Sequence, residues 1–116
     1  VTTGDDNTAV GKNSLLNNGG SDNTAVGSES LQANTTGTRN TAVGSFSLGC
    51  NLYGSDNTAV GVHSIEANVF GSGNVAVGNH ALKTNKHGKY NIAIGYGAGH
   101  YIGENESYKL FNTFNY

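Results

Sequence analysis

His63 and His80 stand seventeen residues apart, and so do Tyr53, Phe70 and His87. Two imidazoles at one structural position make half a metal site; tetrahedral centres need four ligands. Cys50 and the acids do not complete it: the only acid at the same beat is Glu29, two intervals from His63. The Asp5-Asp6 pair with Asp22 does not match the glycine–aspartate nonapeptide of calcium-binding rolls. Cys50 shares its beat with Ala33, Ala67 and Thr84 and reads as a small filler. No Ser-His-Asp order, carboxylate pair or phosphate loop stands apart from the repeat, so neither catalysis nor a cofactor is expected. The Tyr53, Phe70, His87 file is different. Three stacked planar groups on an outer turn form a platform for a sugar ring or a partner, or simply shield the backbone beneath.

What positions these residues is a repeat. D-N-T-A-V-G occurs at Asp6–Gly11, Asp22–Gly27 and Asp56–Gly61, with near copies led by Asn40, Asn74 and Asn91. The lead Asn falls at Asn7, Asn23, Asn40, Asn57, Asn74 and Asn91. Gly recurs three residues before it and four after, Leu15, Leu31, Leu48, Ile65 and Leu82 follow eight after, and Asn34, Asn51, Asn68 and Asn85 eleven after. Two Gly per seventeen residues with many Asn, Ser and Thr are poor helix material. Seventeen residues suit one coil of a stacked β-solenoid. The expected fold is therefore all-β, a parallel solenoid of six roughly 17-residue coils over residues 1–103, with an irregular aromatic cap or assembly tail at 104–116.

Side chains alternate along a strand, so Val10, Val26, Val43, Val60, Val77 and Ile94 are expected to point inward with the Leu column. Ala25, Ala42, Ala59 and Ala76 then face out, small enough for a neighbouring chain to approach closely. A thin core also favours assembly, because small cores usually need support. Each Gly column reads as a turn needing positive φ or close backbone approach. Each Asn column reads as a turn residue whose amide bonds its copy one coil away. Arg39 falls between Asp22 and Asp56 on one turn and relieves a like-charged stack. In the tail, Phe111 and Phe114 are expected to lie over the last coil or reach into an adjacent chain. The near-register start suggests that a further module continues the stack below Val1.

The N-T-A-V-G-x-x-S-L-x-x-N unit, its N-I-A-I-G variant at Asn91–Gly95 and the ending Ile102–Phe111 resemble the head repeats of YadA-like trimeric autotransporter adhesins. They are closer still to the related repeats of phage and viral tail fibres. That resemblance implies a left-handed β-roll, three chains side by side, and display outside a cell or on a virion. The 17-residue unit is longer than the compact adhesin-head repeat, and none of these 116 residues reads as the coiled-coil stalk or membrane anchor of an autotransporter.

Composition limits the rest. Six Lys/Arg and a net charge of −2 lack the basic patch that nucleic acid requires, and no apolar run reaches membrane-span length. The expected function is a non-catalytic structural and interaction protein: a segment of an extracellular fibre or adhesin, self-associated as a trimer or filament, with contact to a cell-surface glycan. The rivals are an ice-binding solenoid, from the Thr8, Thr24, Thr41, Thr58 file, and a polysaccharide-cleaving β-helix.

Overall fold

The computed structural model describes residues 3–102 and 105–112. Each T-A-V or variant triplet forms a short strand: β1 (Thr8–Val10), β2 (Thr24–Val26), β3 (Thr41–Val43), β4 (Thr58–Val60), β5 (Val75–Val77) and β6 (Ile92–Ile94). A seventh, β7 (Leu110–Phe111), follows. The strands form one parallel sheet in sequence order, with each Ala beside the next coil's Ala. The described chain is a β-solenoid with principal extents of 39 × 21 × 16 Å, and no helix occurs among the described residues. The expected cap begins as one more rung: β7 pairs with β6, Leu110 beside Ile92 and Phe111 beside Ala93.

The interior corrects the expected facing of the strands. Ala25, Ala42, Ala59 and Ala76 have no exposed surface, whereas Val43 and Val60 are each 37% exposed and Val10 56%. The alternation along a strand such as β3 is as expected, but with the Ala position inside and the flanking Thr and Val outside. The lead Asn decides the matter. Asn23, Asn40, Asn57, Asn74 and Asn91 are fully buried, and alternation then sends Thr out, Ala in and Val out. Opposite the Ala column lie Leu31, Leu48, Ile65 and Leu82, also fully buried, each worth about 2 kcal/mol of removed apolar surface.

A core in which Asn recurs in two columns must satisfy every amide, since an unpaired buried polar group costs about 1–3 kcal/mol. The lead Asn Oδ1 accepts the backbone N–H of the next lead Asn, as from Asn57 to Asn40 at 3.0 Å. Its Nδ2 donates to a Gly carbonyl one coil on, as Asn40 to Gly54 at 2.8 Å. The second Asn column forms the expected amide-to-amide ladder, Asn51 donating to Asn34 at 2.7 Å. Asn18 extends that ladder at its lower end, accepting from Asn34. Both ladders meet on the same Gly carbonyls: Gly54 also accepts from Asn51 at 2.9 Å. Ser30, Ser47 and Ser64 are buried as well, each Oγ donating to an Ala carbonyl of the next coil.

The two Gly columns meet different needs. Gly11, Gly27, Gly44, Gly61, Gly78 and Gly95 take φ between 122° and 137°. Gly20, Gly37 and Gly54 do not take positive φ; a Cβ there would run into the next coil's Gly carbonyl. Bulky residues also enter the left-handed region: the Leu column sits at φ 47–52°, Ile65 included. That conformation costs on the order of 1 kcal/mol per residue, and the burial of each side chain outweighs it.

Candidate functional site

Among the described residues no cluster of three or more His, Cys, Asp or Glu could hold a metal ion. The chemistry of the surface is concentrated instead in planar side chains, which the 17-residue period stacks on the outer turns.

The first ladder is the expected one. Tyr53 and Phe70 stack at 4.9 Å between ring centroids, and Phe70 and His87 at 5.6 Å. Their backbone is fixed from the coil above, Tyr53 N–H donating to the Val69 carbonyl at 2.9 Å and Phe70 N–H to that of Lys86 at 3.0 Å. Tyr53 and Phe70 are about half exposed, so the ladder offers an open edge and one flat end rather than a pocket.

The second ladder is longer. Phe46 stacks on His63 at 5.2 Å, His63 on His80 at 5.2 Å, His80 on His100 at 5.9 Å and His100 on Tyr101 at 4.5 Å. Tyr96 meets His80 edge-on at 5.8 Å. Phe46, His63 and His80 all lie in the left-handed backbone region near φ 60°. The N–H of each donates down to the previous coil, to the carbonyls of Ser28, Ser45 and Val62. Sequence spacing found the His63–His80 pair and passed over Phe46, which shares its beat. It could not have found His100, three positions off that beat. In the last coil Gly97 and Gly99 take φ 65–66° in place of larger residues, and His100 comes up beside His80.

Charged groups border this ladder. His63 Nδ1 lies 2.8 Å from Glu66 Oε2, and Lys83 Nζ 3.8 Å from the same oxygen. His80 Nδ1 is buried without a hydrogen-bond partner among the described residues. Desolvation, then Lys83, His63 and His100, hold the His80 pKa below its ordinary value. At the upper end His80, Lys83, Tyr96, Gly97, His100 and Tyr101 enclose an open-mouthed cavity of about 460 Å³.

Other expected positions fall as follows. Arg39 chooses Asp56, Nε to Oδ1 at 2.7 Å and Nη2 to Oδ2 at 3.1 Å, and this hydrogen bond lowers the Asp56 pKa. Cys50 is exposed on the turn instead of filling space; desolvation and then Glu66 push its thiol pKa up, away from thiolate reactivity. The expected contact residues Ala25, Ala42, Ala59 and Ala76 are interior and reach no neighbour. Phe111 is buried on its own chain, its ring close to Gly99 and filling the place of the missing Leu-column side chain. Phe114 lies outside the described residues.

What the Ala column does not offer, the other strand face does. Thr8, Thr24, Thr41, Thr58, Val75, Ile92 and Leu110 share one outward file, and the Val column with Ile94 forms the next. Ile92 is 42% exposed and Leu110 71%. The face grows more apolar towards its β7 end. In comparisons with protein-family models, curated proteins and solved structures, the chain matches none.

Proposed function

We propose that the chain is a non-catalytic structural and interaction element, a rod segment of an extracellular fibre or adhesin on a cell surface or virion. It works as a homo-oligomer, a trimer or filament, and the Tyr53–Phe70–His87 ladder is its contact with a cell-surface glycan. The observation that carries the reading is the flat Thr/Val face, where Val10, Val43, Val60, Val77, Ile92 and Ile94 stand exposed side by side. Contiguous apolar surface of this kind marks an association site. Its match along the stack, coil by coil, suits an identical chain lying alongside. The repeat's resemblance to adhesin heads and tail fibres points the same way. Association then runs through this face, because the Ala column is inside.

Light scattering or native mass spectrometry of the purified chain tests the reading. A mass of several chains that falls to one chain in Val43→Lys/Val60→Lys supports it. A single-chain mass at every accessible concentration overturns it.

A second reading gains from the same face. Thr and Val both point outward from a flat sheet, so the Thr8, Thr24, Thr41, Thr58 file is not hidden behind a core Val. A regular exposed array of that kind suits ice. Thermal hysteresis that disappears in Thr41→Lys/Thr58→Lys would favour it over the fibre.

A further inference from the structure

We infer that the cavity between Tyr96, Tyr101, His100 and Lys83 binds a carboxylate-bearing sugar ring, a sialic- or uronic-acid unit of a glycan. This site is separate from the Tyr53–Phe70–His87 ladder, and its existence does not depend on how the chains associate.

Five observations lead there. Tyr96 and Tyr101 line the cavity and are 65% and 76% exposed: Tyr96 packs edge-on to His80 and Tyr101 stacks on His100, and both still present aromatic surface to solvent. Aromatic faces of this kind take the C–H face of a pyranose. A flat aromatic guest fits less well: the rings of the ladder follow one another at 4.5–5.9 Å, which leaves no slot to enter between them. A puckered ring resting on the outer faces needs no slot.

The lining sets the charge of the guest. Among the described residues its ionisable groups are Lys83, His80 and His100 with the two tyrosines, and no carboxylate lines it. Glu66, which Lys83 meets at 3.8 Å, is engaged by His63 at 2.8 Å. Lys83 is a compact point charge with three donors and is free to turn from that long contact towards an anion in the cavity. His80 adds an unfilled place, its buried Nδ1 having no partner among the described residues. Buried polar atoms in native proteins nearly always have one, and a turn of the His80 ring towards a ligand hydroxyl or carboxylate supplies it. The volume, about 460 Å³, lies within the range of small-ligand pockets and holds one or two sugar units.

The test titrates the full chain with the methyl glycosides of N-acetylneuraminic acid, galacturonic acid and galactose, read by amide chemical shifts. Saturable shifts at Lys83, Tyr96, His100 and Tyr101 with either acidic sugar support the site, and which one binds identifies the source. The neutral galactoside should bind at least about tenfold more weakly, as should either acidic sugar to Lys83→Gln, the loss expected for one charged hydrogen bond. Tyr96→Ala should lose affinity too. Both side chains are at the surface, and unchanged melting of each variant shows that the fold is intact. Equal affinity for neutral and acidic sugars overturns the inference, as do a Lys83→Gln variant that binds like the parent, shifts confined to Tyr53, Phe70 and His87, or no saturation with any sugar. None of these outcomes bears on the mass measurement that tests the fibre reading.

Discussion

Asn51 Nδ2 donates to Asn34 Oδ1 at 2.7 Å, and neither residue has any exposed surface. The two lie seventeen residues apart, so this amide pair ties one coil to the next through the middle of the rod. Asn51 donates to Gly54 as well and accepts from Asn68. Asn51→Leu should leave Asn34 Oδ1, the Asn68 amide and one lone pair of Gly54 without that partner. We expect a loss of about 3 kcal/mol or more, measured by denaturant unfolding. A loss below about 1 kcal/mol would mean that water replaces the ladder.

The reversed strand facing separates two kinds of substitution. Ala42→Arg/Ala59→Arg should abolish folding, because each guanidinium enters a space that holds a methyl beside Leu48 and Ile65. Val43→Lys/Val60→Lys should keep the β-rich circular dichroism spectrum and change only the native mass. Should the Ala variant fold as well as the parent, the strands face the other way.

Gly54→Ala should be among the most damaging single changes in the chain. Its Cβ meets the Gly71 carbonyl and the amides of Asn51 and Asn68, so backbone and both ladder members would have to move. A cost of about 3 kcal/mol or more follows from backbone that cannot yield, readable as a melting shift or loss of soluble protein.

His80 sets a pH dependence. Its pKa is lowered by desolvation first, then by Lys83, His63 and His100, with Glu66 opposing; Tyr96 packs on its edge without charge. Folding is then disfavoured by protonation. Its contribution is complete above the unfolded value of 6.5 and is lost as pH falls from there towards the depressed folded value. The melting temperature should drop on acidification through that window. His80→Phe should flatten the drop while keeping the stack, since Phe46 already occupies the same column. An unchanged slope in the variant would assign the pH dependence to another group.

Phe111→Ala should open the last coil at the space beside Gly99 and Leu82, costing about 3 kcal/mol as for other buried rings. Hydrogen exchange should show the loss first around β6 and β7. Uniform weakening along the whole rod would instead show that the coils melt as one unit.

The period, the parallel stacking, the Leu48 column and the Asn34–Asn51 ladder were all legible in the sequence, because each is a residue type repeated at a fixed interval. Facing was not. Alternation gives parity only, and hydropathy favours burying Val43 over Ala42; the buried lead Asn, looking like an exposed turn residue, reverses the choice. Asn18 stands eleven after Asn7, on the beat of Asn34, so the spacing places it at the foot of the ladder even inside the turn-like Asn17-Asn18-Gly19-Gly20 run. Of the surface chemistry, Tyr53, Phe70 and His87 were legible as a file. The cavity was not, since His100 and Tyr101 reach it through the Gly97–Gly99 detour rather than through the repeat.

The inter-coil hydrogen bonds have a mechanical consequence. They run along the rod while the chain runs around it, so a pull on the two ends of one chain loads a single coil's bonds at a time. The coils peel in turn, like tape from a spool, each releasing seventeen residues or roughly 55 Å of contour. A lone rod is then easily unwound by tension, however well it resists heat. Chains lying side by side would share the load across the Thr/Val face and turn a peeling geometry into a shearing one.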